Sequence, residues 1–327
     1  MTGSGCRAGK EQDESFMRLL ALGDIHGCYR ALTTLEEFVG FSDDDLIITL
    51  GDYVDRGPQS KEVIEWVIDR TDRGQVIPLI GNHEIMMLGA MQGQFPMQHW
   101  LQFGGDQVIE SYTPPGEEPH PEQIPISHLQ FLDRRLLPYY ETETEIFVHA
   151  TVDARRPLDL QSEHSLFWER FETMEPHGSG KRVICGHSAQ ETGIPMDLGF
   201  AVCIDTWVYG DGWLTCFDVE TGHYWQANQQ GMTREYRIAS MLRQGETLEP
   251  PDPPKLWRPS RRRERNRDEQ QSEQARESQN PESGPSQETE ATEEVHVRQP
   301  SQEPPRQQPP PPRKRDDLDD IDWLESN

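Results

Sequence analysis

Short apolar runs and longer amphipathic stretches take turns along residues 16–248, and a glycine-bounded loop follows each of the first three runs. "FMRLLALGDIHG" reads as a strand entering a loop, and "CYRALTTLEEFVGF" has the spacing of a following helix. "DLIITLGDYVDRG" with "SKEVIEWVIDRT" repeats the unit, and "QVIPLIGNHE" with "IMMLGAMQ" repeats it again. Strands this apolar and β-branched belong in a buried sheet with parallel elements. Ligands of such sheets gather beyond the carboxyl ends of the strands, where all three loops fall.

Further on, "IFVHATV", "KRVICGHS", "FAVCIDTW", "WLTCFDV" and "HYWQA" are short runs at close spacing. They predict a second, mostly antiparallel sheet packed on the first. Residues 89–140, rich in aromatics and proline, read as a helical cap inserted between the two sets of strands. The expected fold is α/β, a sandwich of two central mixed β-sheets flanked by helices.

Composition divides the chain into three zones. Residues 1–15 are small and polar, a flexible leader, and 16–248 form the folded domain. Residues 249–327 turn to Pro, Gln, Glu, Arg and Ser, with too little apolar surface to offset the entropy of ordering, so a disordered tail is expected. Within it, "RRRERNR" and "PRQQPPPPRKR" read as solvated or extended segments, and the closing "DDLDDIDWLESN" as an acidic peptide able to dock a protein partner.

The net charge of −27 disfavours general binding of nucleic acid or an anionic membrane. Five cysteines, Cys6, Cys28, Cys185, Cys203 and Cys216, show no CxxC spacing, as in a reducing compartment. With no apolar signal region and no run of the ~18 apolar residues that a membrane helix needs, the expected location is the cytoplasm.

The loops carry the chemistry. Asp24 and His26 stand in "GDIHG", Asp52 comes 28 residues after Asp24, and Asn82 comes 30 after Asp52, about one βα unit each time. His149 ends one later strand and His187 follows another. Oxygen and nitrogen ligands in such a mixture suit Mn2+, Fe or Zn2+ better than Ca2+. Taken singly, each has an ordinary reading: a capping or turn aspartate, a loop asparagine, a satisfied structural histidine, a surface arginine. Their joint occurrence at successive strand ends is what argues for a site.

"GDIHG", "GDYVDRG", "GNHE", a strand-end His and a "GH" together resemble the phosphoprotein phosphatase family of the metallophosphoesterases. "HWLQFGGDQVIESY", "FVHATVDARRPLDLQ", "LFWERF" and "CIDTWVYGDGWLTCFD" are similar to its bacterial and phage branch, close to the symmetrical diadenosine tetraphosphate hydrolases. The likeness runs over residues 18–226.

The resemblance implies two divalent metal ions, Mn2+ foremost. Asp24, His26 and Asp52 would hold the first; Asp52, Asn82, His149 and His187 would hold the second. It implies hydrolysis of phosphomonoesters, foremost phosphoserine and phosphothreonine on proteins, by in-line attack of a metal-bound hydroxide. His83 matches the family's general acid and Asp55 the carboxylate that orients it, while Arg56 and Arg170 match the phosphate-binding guanidinium groups. Two other readings accompany it: a symmetrical dinucleoside polyphosphate hydrolase, and a phosphoprotein-binding regulator that uses the tail as an adaptor. Thr151 where Gly is usual, "GHS" for "GHT", and "DTW" at 205–207 for "DTG" depart from the family pattern and bear on substrate shape.

Overall fold

The computed structural model describes residues 18–238 and the backbone of 255–256. The leader and the docking and polyproline segments expected in the tail lie outside the described residues.

Three consecutive βα units open the domain. Strands β1 (Leu19–Leu22), β2 (Leu46–Thr49) and β3 (Val76–Pro78) pair in parallel, in register Leu20 with Ile47 and Ile47 with Val76. Helices α1 (Tyr29–Val39), α2 (Ser60–Asp72) and α3 (Asn82–Met91) follow them in turn. Alternate strand residues face opposite ways: Leu20, Leu22 and Ile47 pack with Leu32, Leu35, Val63 and Val67 from the helices, whereas Ala21 and Ile48 face the other sheet. α1 stops at Gly40, whose φ of +66° supplies the left-handed helix end that glycine adopts without strain.

The second sheet is built from β4 (Tyr139–Glu141), β5 (Glu145–Val148), β6 (Arg182–Cys185), β7 (Met196–Asp197) and β8 (Ala201–Cys203). Its order is β4-β5-β6-β8-β7, with the central strands parallel and only the edge strands antiparallel. β9 (Leu214–Asp218) and β10 (His223–Ala227), assigned from sequence to this sheet, instead extend the first one. β9 lies antiparallel to β1, and β11 (Met232–Arg237) and β12 (Lys255–Leu256) follow outward.

The expectation of a mostly antiparallel second sheet is thus corrected. Short runs buried on both faces carry no polar–apolar alternation from which to read pairing direction or sheet membership. β12 also falls inside the stretch expected to be unstructured.

Phe147, Ile184 and Val202 meet Ala21, Ile48, Leu50 and Phe217 between the sheets, which makes the sandwich. Residues 92–135 supply α4 (Met97–Trp100), a widened turn over Leu101–Gly105, α5 (Asp106–Tyr112) and α6 (Ile126–Arg134), the helical insertion that the sequence predicts. No helix among the described residues is long and apolar enough to cross a membrane.

Candidate metal centre and its acid

Loops after six parallel strands, β1, β2 and β3 from one sheet and β5, β6 and β8 from the other, bring the predicted residues together. Asp24, His26, Asp52, Asp55, Asn82, His83 and His149 are all buried. His26 Nε2 and Asp52 Oδ2 are 3.5 Å apart, and His149 Nε2 stands 3.5 Å from the other Asp52 oxygen. Asn82 Oδ1 lies 2.9 Å from His149 Nε2 and 3.2 Å from His187 Nδ1. Asp52 therefore sits between two donor groups, one with His26 and one with His149 and His187.

The backbone sets which ring nitrogen faces inward. His26 Nδ1 donates to Val54 O at 2.9 Å and His149 Nδ1 to Leu50 O at 2.8 Å, leaving each Nε2 turned to the cluster. His187 is reversed: Nε2 donates to Trp168 O at 3.2 Å and Nδ1 faces inward. Burial pushes the His149 and His187 imidazoles down to about 3, so both rings are neutral in the physiological range and could serve as ligands.

Asp24 accepts the His187 backbone N–H at 3.0 Å through Oδ2, while its buried Oδ1 has no partner. Burial, then Asp205, then Asp52 hold the Asp24 carboxyl well above its usual range. An orphaned buried oxygen among crowded acids, faced by neutral imidazole nitrogens, is an environment that divalent cations satisfy, so the donor set fits the ions expected.

The space is made by glycine. A Cβ on Gly186 would meet Asp24 Oδ1 at 1.9 Å, and one on Gly81 would meet Asp52 Oδ1 at 2.1 Å.

His83 holds the other side of Asp52. Its Nδ1 lies 2.5 Å from Asp55 Oδ2, and its backbone N–H donates to Asp52 Oδ1 at 3.1 Å. Arg56 Nη2 donates to His83 Nε2 at 3.2 Å. Arginine can only donate, so this Nε2 carries no proton while the contact lasts. Burial lowers the imidazole to about 4, with Asp52 opposing and Arg56 reinforcing the shift. The Arg56 guanidinium lies 4.2 Å from the centre of the Tyr209 ring, which also meets His26 edge-on.

Arg170 is different. Its side chain is 70% exposed and pairs with Glu172 at 3.6 Å, although its backbone neighbours are tied to the site: Trp168 O accepts from His187, and Phe171 N–H donates to Ser188 at 2.9 Å.

Sequence reasoning assigned no role to three residues here. Glu84, in the quoted "GNHE", is fully buried; its carboxylate accepts the N–H groups of Gly81, Asp52, Tyr53 and Val54 at 2.7–3.3 Å. Trp100 donates its indole N–H to Asp55 Oδ1 at 2.9 Å, so the helical insertion reaches the carboxyl that holds His83. Asp205, raised to about 6 chiefly by burial, lies against Asp24. Glu84 and Trp100 stand in quoted motifs, "GNHE" and "HWLQFGGDQVIESY", but their partners are distant in sequence.

Residues 17–212 match the family described as calcineurin-like phosphoesterase. The chain belongs to the calcineurin-like phosphoesterases. Within that family it is 38% identical over 78 residues to a symmetrical bis(5'-nucleosyl)-tetraphosphatase of Chromobacterium violaceum, covering 24% of this chain and 27% of that protein. It is 36% identical over 99 residues to serine/threonine-protein phosphatase 2 of Salmonella typhimurium, covering 29% of this chain and 43% of that one. The chain thus spans less than half the length of either relative. Among solved structures, a cold-active protein tyrosine phosphatase matches this phosphoesterase with a TM-score of 0.50 and 19% identity, over 70% of this chain and 81% of the other, which supports the fold.

Proposed function

We propose that this phosphoesterase hydrolyses phosphomonoesters of alcohols, foremost phosphoserine and phosphothreonine on proteins. The observation that carries the reading is His83, held by Asp55 on one nitrogen and touching Arg56 with the other, beside Asp52. An alkoxide is a poor leaving group and gains about 10²–10⁴-fold from a positioned acid. A phosphoanhydride leaves as a phosphate and gains far less.

Asp24, His26 and Asp52 would hold one ion, and Asp52, Asn82, His149 and His187 a second, with Mn2+ the leading candidate. Such a pair of ions supplies charge neutralisation at phosphorus and an acidified water. The chain does the rest. Arg56 binds a phosphoryl oxygen and leaves His83, freeing Nε2 to take the proton that the attacking water loses and to pass it to the leaving oxygen. Asp55 keeps the ring aligned and stabilises its cationic form. Trp100 keeps Asp55 in place. Arg170 reaches the phosphate only by giving up its solvent-exposed pairing with Glu172.

The names of the relatives favour a second reading, symmetrical cleavage of dinucleoside polyphosphates, where the two substrates share the same metal centre. A cytoplasmic setting is part of the proposal and is supported by four free, buried cysteines among the described residues. A tail-docked protein partner is proposed from sequence alone.

The test compares Mn2+-dependent turnover of a phosphothreonine peptide and diadenosine tetraphosphate by the full chain and by His83→Asn. Peptide turnover that falls at least 100-fold in the variant supports the first reading. Faster dinucleotide cleavage, little changed by the substitution, supports the second.

A further inference from the structure

Six residues other than glycine have positive φ among the described residues: His26, Asp52, Asp55, Arg56, His187 and Trp207. Five of them belong to the metal, acid and phosphate-binding set above. The sixth has no part in it. A bulky residue at φ +63° is a true outlier, of the kind that persists where the surroundings impose it and serve a ligand.

The surroundings of Trp207 impose it from both sides. Its backbone N–H donates to Asp205 Oδ1 at 3.0 Å, and its carbonyl accepts from Gly210 and Gly212 at 3.1 and 3.2 Å. Gly210 lies under the indole, where a Cβ would come within 2.4 Å of the ring. The indole is half-buried and joins none of the three hydrophobic cores, so core packing does not account for it. It meets the Tyr209 ring edge-on, with centroids 6.2 Å apart, and Tyr209 in turn carries Arg56 and touches His26.

We propose that Trp207 is a specificity-determining platform for a planar aromatic ring carried by the phosphoester. The inference rests on the phosphoesterase reading and narrows it: phosphoserine and phosphothreonine carry no ring, so the platform would favour ring-bearing esters over them. One face of Tyr209 is taken by Arg56, and Trp207, in edge contact with that ring, is only partly buried. Stacking on an indole tolerates any flat π-system, so a nucleobase and an aryl side chain share the required chemistry.

Two substrate pairs separate these sources. AMP and ribose 5-phosphate differ only in the base, and matched phosphotyrosine and phosphoserine peptides differ in the ring. Each pair is assayed with wild type, Trp207→Leu and Trp207→Phe. Leu keeps an apolar side chain but has no π-face, and Phe restores a face. The expected result is that Trp207→Leu lowers the kcat/KM ratio of one pair by about 10-fold, through KM, while Trp207→Phe retains most of it.

Loss in the first pair assigns a nucleobase, and loss in the second an aryl side chain. Ratios unchanged in both pairs overturn the proposal. Calorimetric titration of adenosine and of tyrosine, which carry the ring without a phosphoester, reads the platform without turnover. If wild type turns over none of the four substrates, the phosphoesterase reading fails, and the titrations still decide: weaker binding of either ligand by Trp207→Leu sustains the platform, and equal binding of both rejects it.

Discussion

Trp100, from the helical insertion, donates its indole N–H to Asp55 at 2.9 Å, on the oxygen opposite the one that holds His83. Both residues are fully buried, so no water replaces that donor if it is lost. Trp100→Phe should lower stability by about 1–3 kcal/mol, the cost of stranding a buried polar group. Urea denaturation reads that loss. Turnover should fall more for an alkyl phosphoester than for p-nitrophenyl phosphate, whose leaving group needs little protonation. Equal losses on the two substrates would argue that Trp100 acts on the fold and not on the acid.

Glu84 ties the start of α3 to the loop after β2 by accepting four backbone N–H groups. Glu84→Gln replaces one accepting oxygen by an NH2 that cannot accept. The N–H groups of Gly81 and Asp52, or those of Tyr53 and Val54, then lose their partner. Destabilisation of about 2–4 kcal/mol is expected, on the scale of one or two stranded buried donors. A shift in the urea midpoint of less than the error of the measurement would show that the loop is held by other means.

Metal removal should destabilise the folded chain. Asp24, Asp52 and Asp205 crowd together in a buried site, where burial first and then neighbouring carboxylates raise the Asp24 and Asp205 carboxyls. Cations bound only by the native state add about 2.7 kcal/mol at 100 times their dissociation constant. Chelator should lower the thermal midpoint and Mn2+ should restore it. Asp24→Asn should melt higher than wild type without metal and gain less when Mn2+ is added.

A pair far from the site offers a pH test. Asp45 is buried beside Arg18, accepting Nε at 2.8 Å and Nη2 at 2.5 Å, and also the Ser42 N–H at 2.8 Å. Burial acts to raise its pKa, yet the bonds from Arg18 and Ser42 outweigh it and leave the carboxyl below its usual value of 3.8. A depressed carboxyl binds fewer protons when folded, so its stabilisation is present in full above the unfolded value and disappears as pH falls through the folded one. Asp45→Asn should cost about 1–3 kcal/mol at pH 7, and the gap from wild type should narrow below about pH 4. Urea titrations at pH 7, 4 and 3 measure it.

Much of this architecture was written in local sequence. Apolar runs ending in glycine-bounded loops located β1, β2 and β3, and spacings of one βα unit located Asp24, Asp52 and Asn82. What local pattern did not carry was partnership. β9 and β10 look like β5 and β6 in composition, and only tertiary packing sends them to the other sheet. "GNHE" read as a loop, whereas Asn82 already begins α3, because Glu84 closes the helix start by reaching back to Gly81. Trp100 and Asp55 are 45 residues apart, and nothing in either neighbourhood announces the other. Arg170 shows the converse: a motif letter in place, with its side chain paired to Glu172.

Asn82 and His83 are consecutive residues on the first turn of α3. The carbonyl oxygen that reaches His149 and His187 and the ring that reaches Asp55 therefore ride on one rigid body. In the proposed roles, a tilt of that helix would not open the gap between cation and leaving oxygen without also shifting the proton. Selection on this scaffold has little freedom to tune the two separately, and adaptation to new esters is left to the surrounding loops.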